Sequence, residues 1–227
     1  MLKSSLAAAA LMLVMSAASA VTTYDAGSYL VEYDEMTSFG SIAGSFSSSN
    51  DSVGFSWTVP DTATVVTFGG VVIKDFALPS FKLTPKTGYT LGGPIRVFLG
   101  NLAFTEIGNA LSTAKVEGMV SVDGDSPLFM ASRLDRKITS SSRNHSSGYL
   151  YLDESYDIDA FSSLEVTDAL IQLEASDGTF GQIIAQPQNK LEISFTTPAV
   201  PEPETTAMLL AGLASMGWMV RRRRNNA

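Results

Sequence analysis

The segment YLDESYDIDAF places four carboxylates, Asp153, Glu154, Asp157 and Asp159, within seven positions, and Asp123-Gly124-Asp125 supplies another acidic pair. Hard oxygen ligands close in sequence suit calcium, which takes about six to eight of them. The spacing is not that of an EF-hand, because no glycine lies inside the cluster and no glutamate closes it. The expectation is therefore a chain without a resident cofactor, with calcium the ion that this cluster would take. A solvated acidic turn is the other use of the same residues. Two of these carboxylates would also serve a glycosidase, if they stood about 5–10 Å apart across a sugar cleft. Tyr149, Tyr151 and Tyr156 flank the cluster. Such rings stack on sugars, but Tyr149 and Tyr151 share one strand face, and the expected use of that pair is core packing.

Other catalytic chemistry is sparse. His145 is the single histidine, and it lies in the serine-rich stretch SSSRNHSSG, read as a polar loop. A Ser-His-Asp site needs its imidazole held by packing and a second hydrogen bond, which such a loop supplies poorly. No nucleophile elbow, phosphate-binding loop, dinucleotide fingerprint or zinc-protease helix is present. Cysteine is absent, so thiolate chemistry and disulfides are excluded. The chain is accordingly read as a non-enzyme. Two alternatives stand beside that reading: an exported carbohydrate-active hydrolase using the acids near Asp153 to Asp159, and a calcium-stabilised adhesion module.

Charge narrows the partners. Lys3 and Arg221 to Arg224 make up five of the 15 bases, and Glu202 and Glu204 two of the 23 acids; residues 21–200 thus hold 10 bases and 21 acids, a net charge of −11. That field repels nucleic acid and anionic lipid, and no basic patch interrupts it before the terminal arginines.

The elements that must position these residues read as strands. In VGFSWTV, Val53, Phe55, Trp57 and Val59 share one face against Ser56 and Thr58. KLEISFT repeats the pattern with Leu191, Ile193 and Phe195; VEGMVSV does so with Val116, Val120 and Val122, and ALIQLE with Ala169, Ile171 and Leu173. Period-two alternation over short runs means half-buried strands. Turn signals such as Gly69-Gly70, Asp123-Gly124 and Asp177-Gly178 separate them. Short strands between frequent turns predict an all-β fold, an antiparallel β-sandwich of jelly-roll-like form, over residues 21–197. Asn101–Lys115 is open between helix and strand, because Gly108 interrupts it.

The two ends carry an address. Residues 1–20 hold Lys3, an apolar run from Leu6 to Met15, and the small residues Ala18 and Ala20 in an A-x-A cleavage site. This is the layout of a signal peptide, which enters the Sec export machinery as a helix and leaves a mature chain starting near Val21. After a linker at 198–204, residues 205–227 contain a 14-residue apolar run, Ala207 to Val220, and then Arg221, Arg222, Arg223 and Arg224. As a helix the run rises about 21 Å, thin for a hydrocarbon core of about 30 Å. The expectation is a short transmembrane helix stopped by the arginines on the cytoplasmic side.

Pro201, Glu202 and Pro203, the apolar helix after them and the terminal arginines resemble the PEP-CTERM sorting signal of exported bacterial proteins, whose tail has also been labelled an ice-binding protein C-terminal domain. The resemblance covers about the last 28 residues. It implies recognition by an exosortase, a membrane transpeptidase that removes the tail near the motif. It also implies a Gram-negative host that makes exopolysaccharide and biofilm. On this reading the precursor is held in the inner membrane, and the body then reaches the cell surface or extracellular matrix. There its expected role is binding or structural, with exopolysaccharide or a matrix protein as partner.

Overall fold

The computed structural model describes residues 21–47, 52–137, 145–198, 208–213 and 216. In chain order the strands are β1 (Val21–Asp25), β2 (Tyr29–Asp34), β3 (Gly44–Ser47), β4 (Ser52–Thr58), β5 (Thr64–Thr67), β6 (Val71–Ala77), β7 (Phe81–Pro85), β8 (Gly92–Ile107), β9 (Ala110–Val122), β10 (Leu128–Lys137), β11 (His145–Tyr156), β12 (Leu164–Asp177), β13 (Phe180–Ile184) and β14 (Lys190–Thr196).

They pair antiparallel in two sheets. The first runs β1-β2-β7-β12-β9-β10, with β6 beside β7 on the same flank of the long strand β12. The second runs β3-β4-β14-β8-β13-β5, with β11 along the opposite flank of β8. The alternation read from sequence selects the buried faces. Phe55, Trp57, Leu191, Phe195, Ile171 and Leu173 are all buried. Rings from the two sheets interlock: Phe55 of β4 meets Phe81 of β7 edge-on at 5.5 Å, and Tyr29 of β2 meets Phe195 of β14 at 4.8 Å. These large apolar groups hold the sheets together by removing area from water, with edge-to-face contacts of about 0.5–1.5 kcal/mol each beyond that.

Three chain crossings between the sheets gather at one end. They are β5 to β6 through Gly69-Gly70, β8 to β9 through Gly108, and β12 to β13 through Asp177-Gly178. The Asp177 amide donates to the Gly70 carbonyl at 3.1 Å, and the Thr179 amide to that of Ile107 at 2.8 Å. Gly178 has φ of 63°, and a Cβ there would lie 2.7 Å from the Ile107 carbonyl oxygen. Only glycine fits so close a backbone approach.

One open reading of the sequence is resolved and another is corrected. Asn101–Lys115 is strand on both sides of Gly108, because Leu102, Phe104 and Ala114 each face the core at period two. His145 lies at the first position of β11, opposite Ile107, rather than in a loop, since β8 offers it a paired edge. Residues 1–20, with Ala18 and Ala20, lie outside the described residues, and Val21 is the first residue of β1. In the C-terminal segment residues 208–213 and 216 are helical; among the described residues no helix is long and apolar enough to cross a membrane. Pro201, Glu202, Pro203 and Arg221 to Arg224 lie outside the described residues.

Candidate functional site

On β11 the order Tyr149-Leu150-Tyr151-Leu152 is apolar at both parities, so local pattern leaves open which pair turns inward. The core takes the leucines. Leu150 and Leu152 are 1% and 4% exposed, whereas Tyr149 and Tyr151 are 57% and 58% exposed on the outer face. The expectation that this pair packs in the core is therefore overturned: branched aliphatic side chains fill the inter-sheet space, and the tyrosines keep ring faces and hydroxyls in water. Tyr156, at the opposite parity, points inward instead. It lines an apolar cavity of about 90 Å³ between the sheets with Trp57, Ile95 and Met130, and burial raises its phenol pKa.

The strand beside these rings is irregular. Leu150 pairs with Leu102 but Leu152 with Leu99, so β8 carries one extra residue, a bulge at Gly100-Asn101. Bulges bend a strand and re-aim its side chains. Here Gly100, Asn101 and Phe98 floor a cleft of about 270 Å³ walled by Tyr149, Lys190 and Glu192. Gly100 leaves room for it: a Cβ there would stand 3.3 Å from the Lys190 carbonyl oxygen. Gln186 closes the far wall in a tight turn, its amide donating to Asn189 Oδ1 at 2.5 Å while Gln188 Nε2 donates to Gln186 Oε1 at 2.6 Å.

On the other side of Tyr149, at the margin where β11 lies near β10, a second cleft of about 370 Å³ is lined by Arg133, Asp135, Tyr149, Tyr151, Asp153 and Glu154. Arg133 Nε donates to Asp135 Oδ1 at 2.7 Å, and Thr113 Oγ1 donates to the same oxygen at 2.8 Å. One exposed ring thus separates two polar clefts.

The acids of the cluster differ in their surroundings. Asp153 accepts a bidentate pair from Arg96, Nε to Oδ1 at 2.5 Å and Nη2 to Oδ2 at 2.7 Å, which holds its carboxyl below the usual range. Arg96 also lies 5.4 Å from the centroid of the Phe98 ring. Glu154 is exposed beside the second cleft, and Asp157 and Asp159 follow in the segment after β11. Among the described residues no three acidic or imidazole groups come together in a set able to hold a metal ion. Asp123 is a turn anchor: its Oδ1 accepts from the Ser162 amide and hydroxyl, both at 2.7 Å, and from the Ser163 amide at 2.8 Å. Those donors, the Ser162 hydroxyl foremost, lower its pKa.

Of the residues singled out by sequence, the structure unites Tyr149, Tyr151, Asp153 and Glu154 and leaves Tyr156 inside. Sequence reading missed Phe98, Asn101, Gln186, Lys190 and Glu192. One signal was there: a glycine within a strand pattern, as in FLGNL, marks a bulge.

Comparison with known proteins decides the character of the tail. Residues 199–224 match the PEP-CTERM protein-sorting motif. The chain carries a PEP-CTERM sorting signal. That signal marks an exported protein directed to the cell envelope and processed by an exosortase. The PEP-CTERM match does not extend into the sandwich. Among solved structures, the chain is similar to TmCBM61 in complex with β-1,4-galactotriose, at 12% identity and a TM-score of 0.19 over 80% of this chain and 88% of that one. It is also similar to infectious bursal disease virus Gx strain, at 10% identity and a TM-score of 0.22 over 80% of this chain and 40% of that one. No curated protein matches the chain.

Proposed function

We propose that the body is a non-catalytic, jelly-roll-like carbohydrate-binding sandwich, delivered by its PEP-CTERM signal to the surface or matrix, where it holds extracellular polysaccharide. The observation that carries this reading is the pair of outward rings, Tyr149 and Tyr151, between two clefts floored and walled by amide and charged groups. An exposed aromatic face meets the apolar C–H face of a pyranose, and the surrounding carboxylates, carboxamides and amine give hydroxyls both acceptors and donors. Both clefts open to solvent, which suits holding a polymer side-on more than enclosing a reacting bond. Asp153, the acid nearest the rings in sequence, is committed to Arg96, so it is poorly placed to trade a proton.

The test is retardation of the exported protein in gels containing soluble polysaccharides. Tyr149→Ala and Tyr151→Ala are each expected to lose at least ten-fold in affinity while keeping the wild-type melting temperature. Retention of full binding by the double variant would overturn the reading.

A further inference from the structure

We propose that the ligand is a neutral pyranose polymer lying across β14, β8 and β11 and filling both clefts in succession, an inference that rests on the carbohydrate-binding reading above. Tyr149 is common to the two clefts, so they are consecutive stations on one path. At about 270 Å³ the first falls just below the usual range of ligand pockets, about 300–1,000 Å³, and at about 370 Å³ the second lies at its small end. A monosaccharide occupies one of them, and only a connected oligosaccharide reaches both. Linking two modest contacts in one chain makes the second contact intramolecular, so affinity rises steeply with chain length until both are filled.

Charge selects the class of polymer. Glu192 borders the first cleft, and Asp135, Asp153 and Glu154 border the second. Arg96 commits its Nε and Nη2 to Asp153, and Arg133 gives its Nε to Asp135, so each guanidinium charge is already countered by a carboxylate before a uronate or sulfate group arrives. The body around the path carries a net charge of −11 over residues 21–200. Lys190 is the one lysine lining the first cleft and stands there beside Glu192, so the summed field of the body still disfavours an anionic polymer, while neutral hydroxyls find Glu192, Glu154, Asn101, Gln186 and Lys190 as hydrogen-bonding partners.

The experiment uses the exported protein with a neutral glucan, galactan and mannan, polygalacturonate as the polyanion and chitosan as the polycation, each at low and high salt. At least one neutral polymer is expected to bind with less than two-fold change on adding salt, and its hexasaccharide at least ten-fold more tightly than its disaccharide. Gln186→Ala and Glu154→Gln, at opposite ends of the path, should each weaken the hexasaccharide three-fold or more, with Tyr149→Ala removing binding of every length. Salt-sensitive binding of polygalacturonate or chitosan alone, abolished by Tyr149→Ala, would overturn neutrality and leave the tyrosine platform standing. Equal affinity for disaccharide and hexasaccharide would overturn the two-cleft path. Failure of every polymer to bind would overturn this inference and the carbohydrate-binding reading together.

Discussion

Asp123 and Asp153 are both acids held below their ordinary pKa, yet by different partners and with different consequences. Asp123 is gripped by three donors from Ser162 and Ser163, which ties the β9–β10 turn to the segment entering β12. Because the folded carboxyl binds its proton less readily than the unfolded one, the stabilisation is whole above the unfolded value and drains away as pH falls through the lowered folded value. The melting temperature of wild type should therefore fall below about pH 4, and Asp123→Ala should start lower at neutral pH and show a shallower acid decline; parallel acid curves would count against the linkage. Asp153 sits in a part-exposed ion pair with Arg96, worth no more than about 1 kcal/mol in such surroundings. With Asp153 so engaged, and no metal-holding set among the described residues, melts in millimolar calcium and in EDTA are expected to coincide. A clear rise with calcium, lost in Asp153→Asn, would restore the acidic segment as an ion site.

At the scale of elements, two Asp-Gly turns that look alike in sequence do different work. Asp123-Gly124 joins β9 to β10 within one sheet, whereas Asp177-Gly178 carries the chain from β12 in the first sheet to β13 in the second. All four residues have positive φ. The surroundings differ: a Cβ at Gly124 would meet open space, and one at Gly178 would strike Ile107 and Ala110. Gly124→Ala should then cost only the left-handed backbone penalty, about 1–2 kcal/mol. Gly178→Ala adds a clash at the crossing, for about 2–5 kcal/mol in all. Urea denaturation of the two variants checks the order, and equal losses would contradict the packed corner. The core elements set the larger scale, since Phe55, wholly buried and in ring contact with Tyr29, Trp57 and Phe81, should lose about 3–5 kcal/mol on truncation to alanine.

For the whole molecule, the sandwich and its tail act at different times. The described strands lie between Val21 and Thr196, and the PEP-CTERM match begins at residue 199, so processing at the motif leaves both sheets intact. Pro201 and Pro203 lack amide hydrogens and so cannot donate to a helix or a sheet ladder. Replacing Pro201, Glu202 and Pro203 with alanine should give a full-length precursor that stays with the membrane fraction, while the wild-type protein loses an epitope placed after Arg224 and keeps one near Ala26. Maturation of the triple variant at the wild-type rate, followed by immunoblotting at both ends, would show that the motif is not what the enzyme reads.

What the sequence determined alone is whatever local pattern can encode. Where aliphatic residues alternate with polar ones, as in β12 and β14, burial parity follows from period two, because only one face satisfies the hydrophobic effect. The address at the C-terminus was equally legible, since an exosortase reads a short linear motif. Only the tertiary structure decided the orientation of Tyr149 and Tyr151, because YLYL is apolar on both faces and the choice falls to whichever side chains fill the space opposite. It likewise decided that Asp153 is engaged by Arg96, through their meeting across the β8–β11 pairing. The clefts themselves join β8, β10, β11 and β14, whose neighbourhood depends on sheet order and on one extra residue at Gly100-Asn101, and long-range pairing of that kind leaves no mark in any local window of the chain.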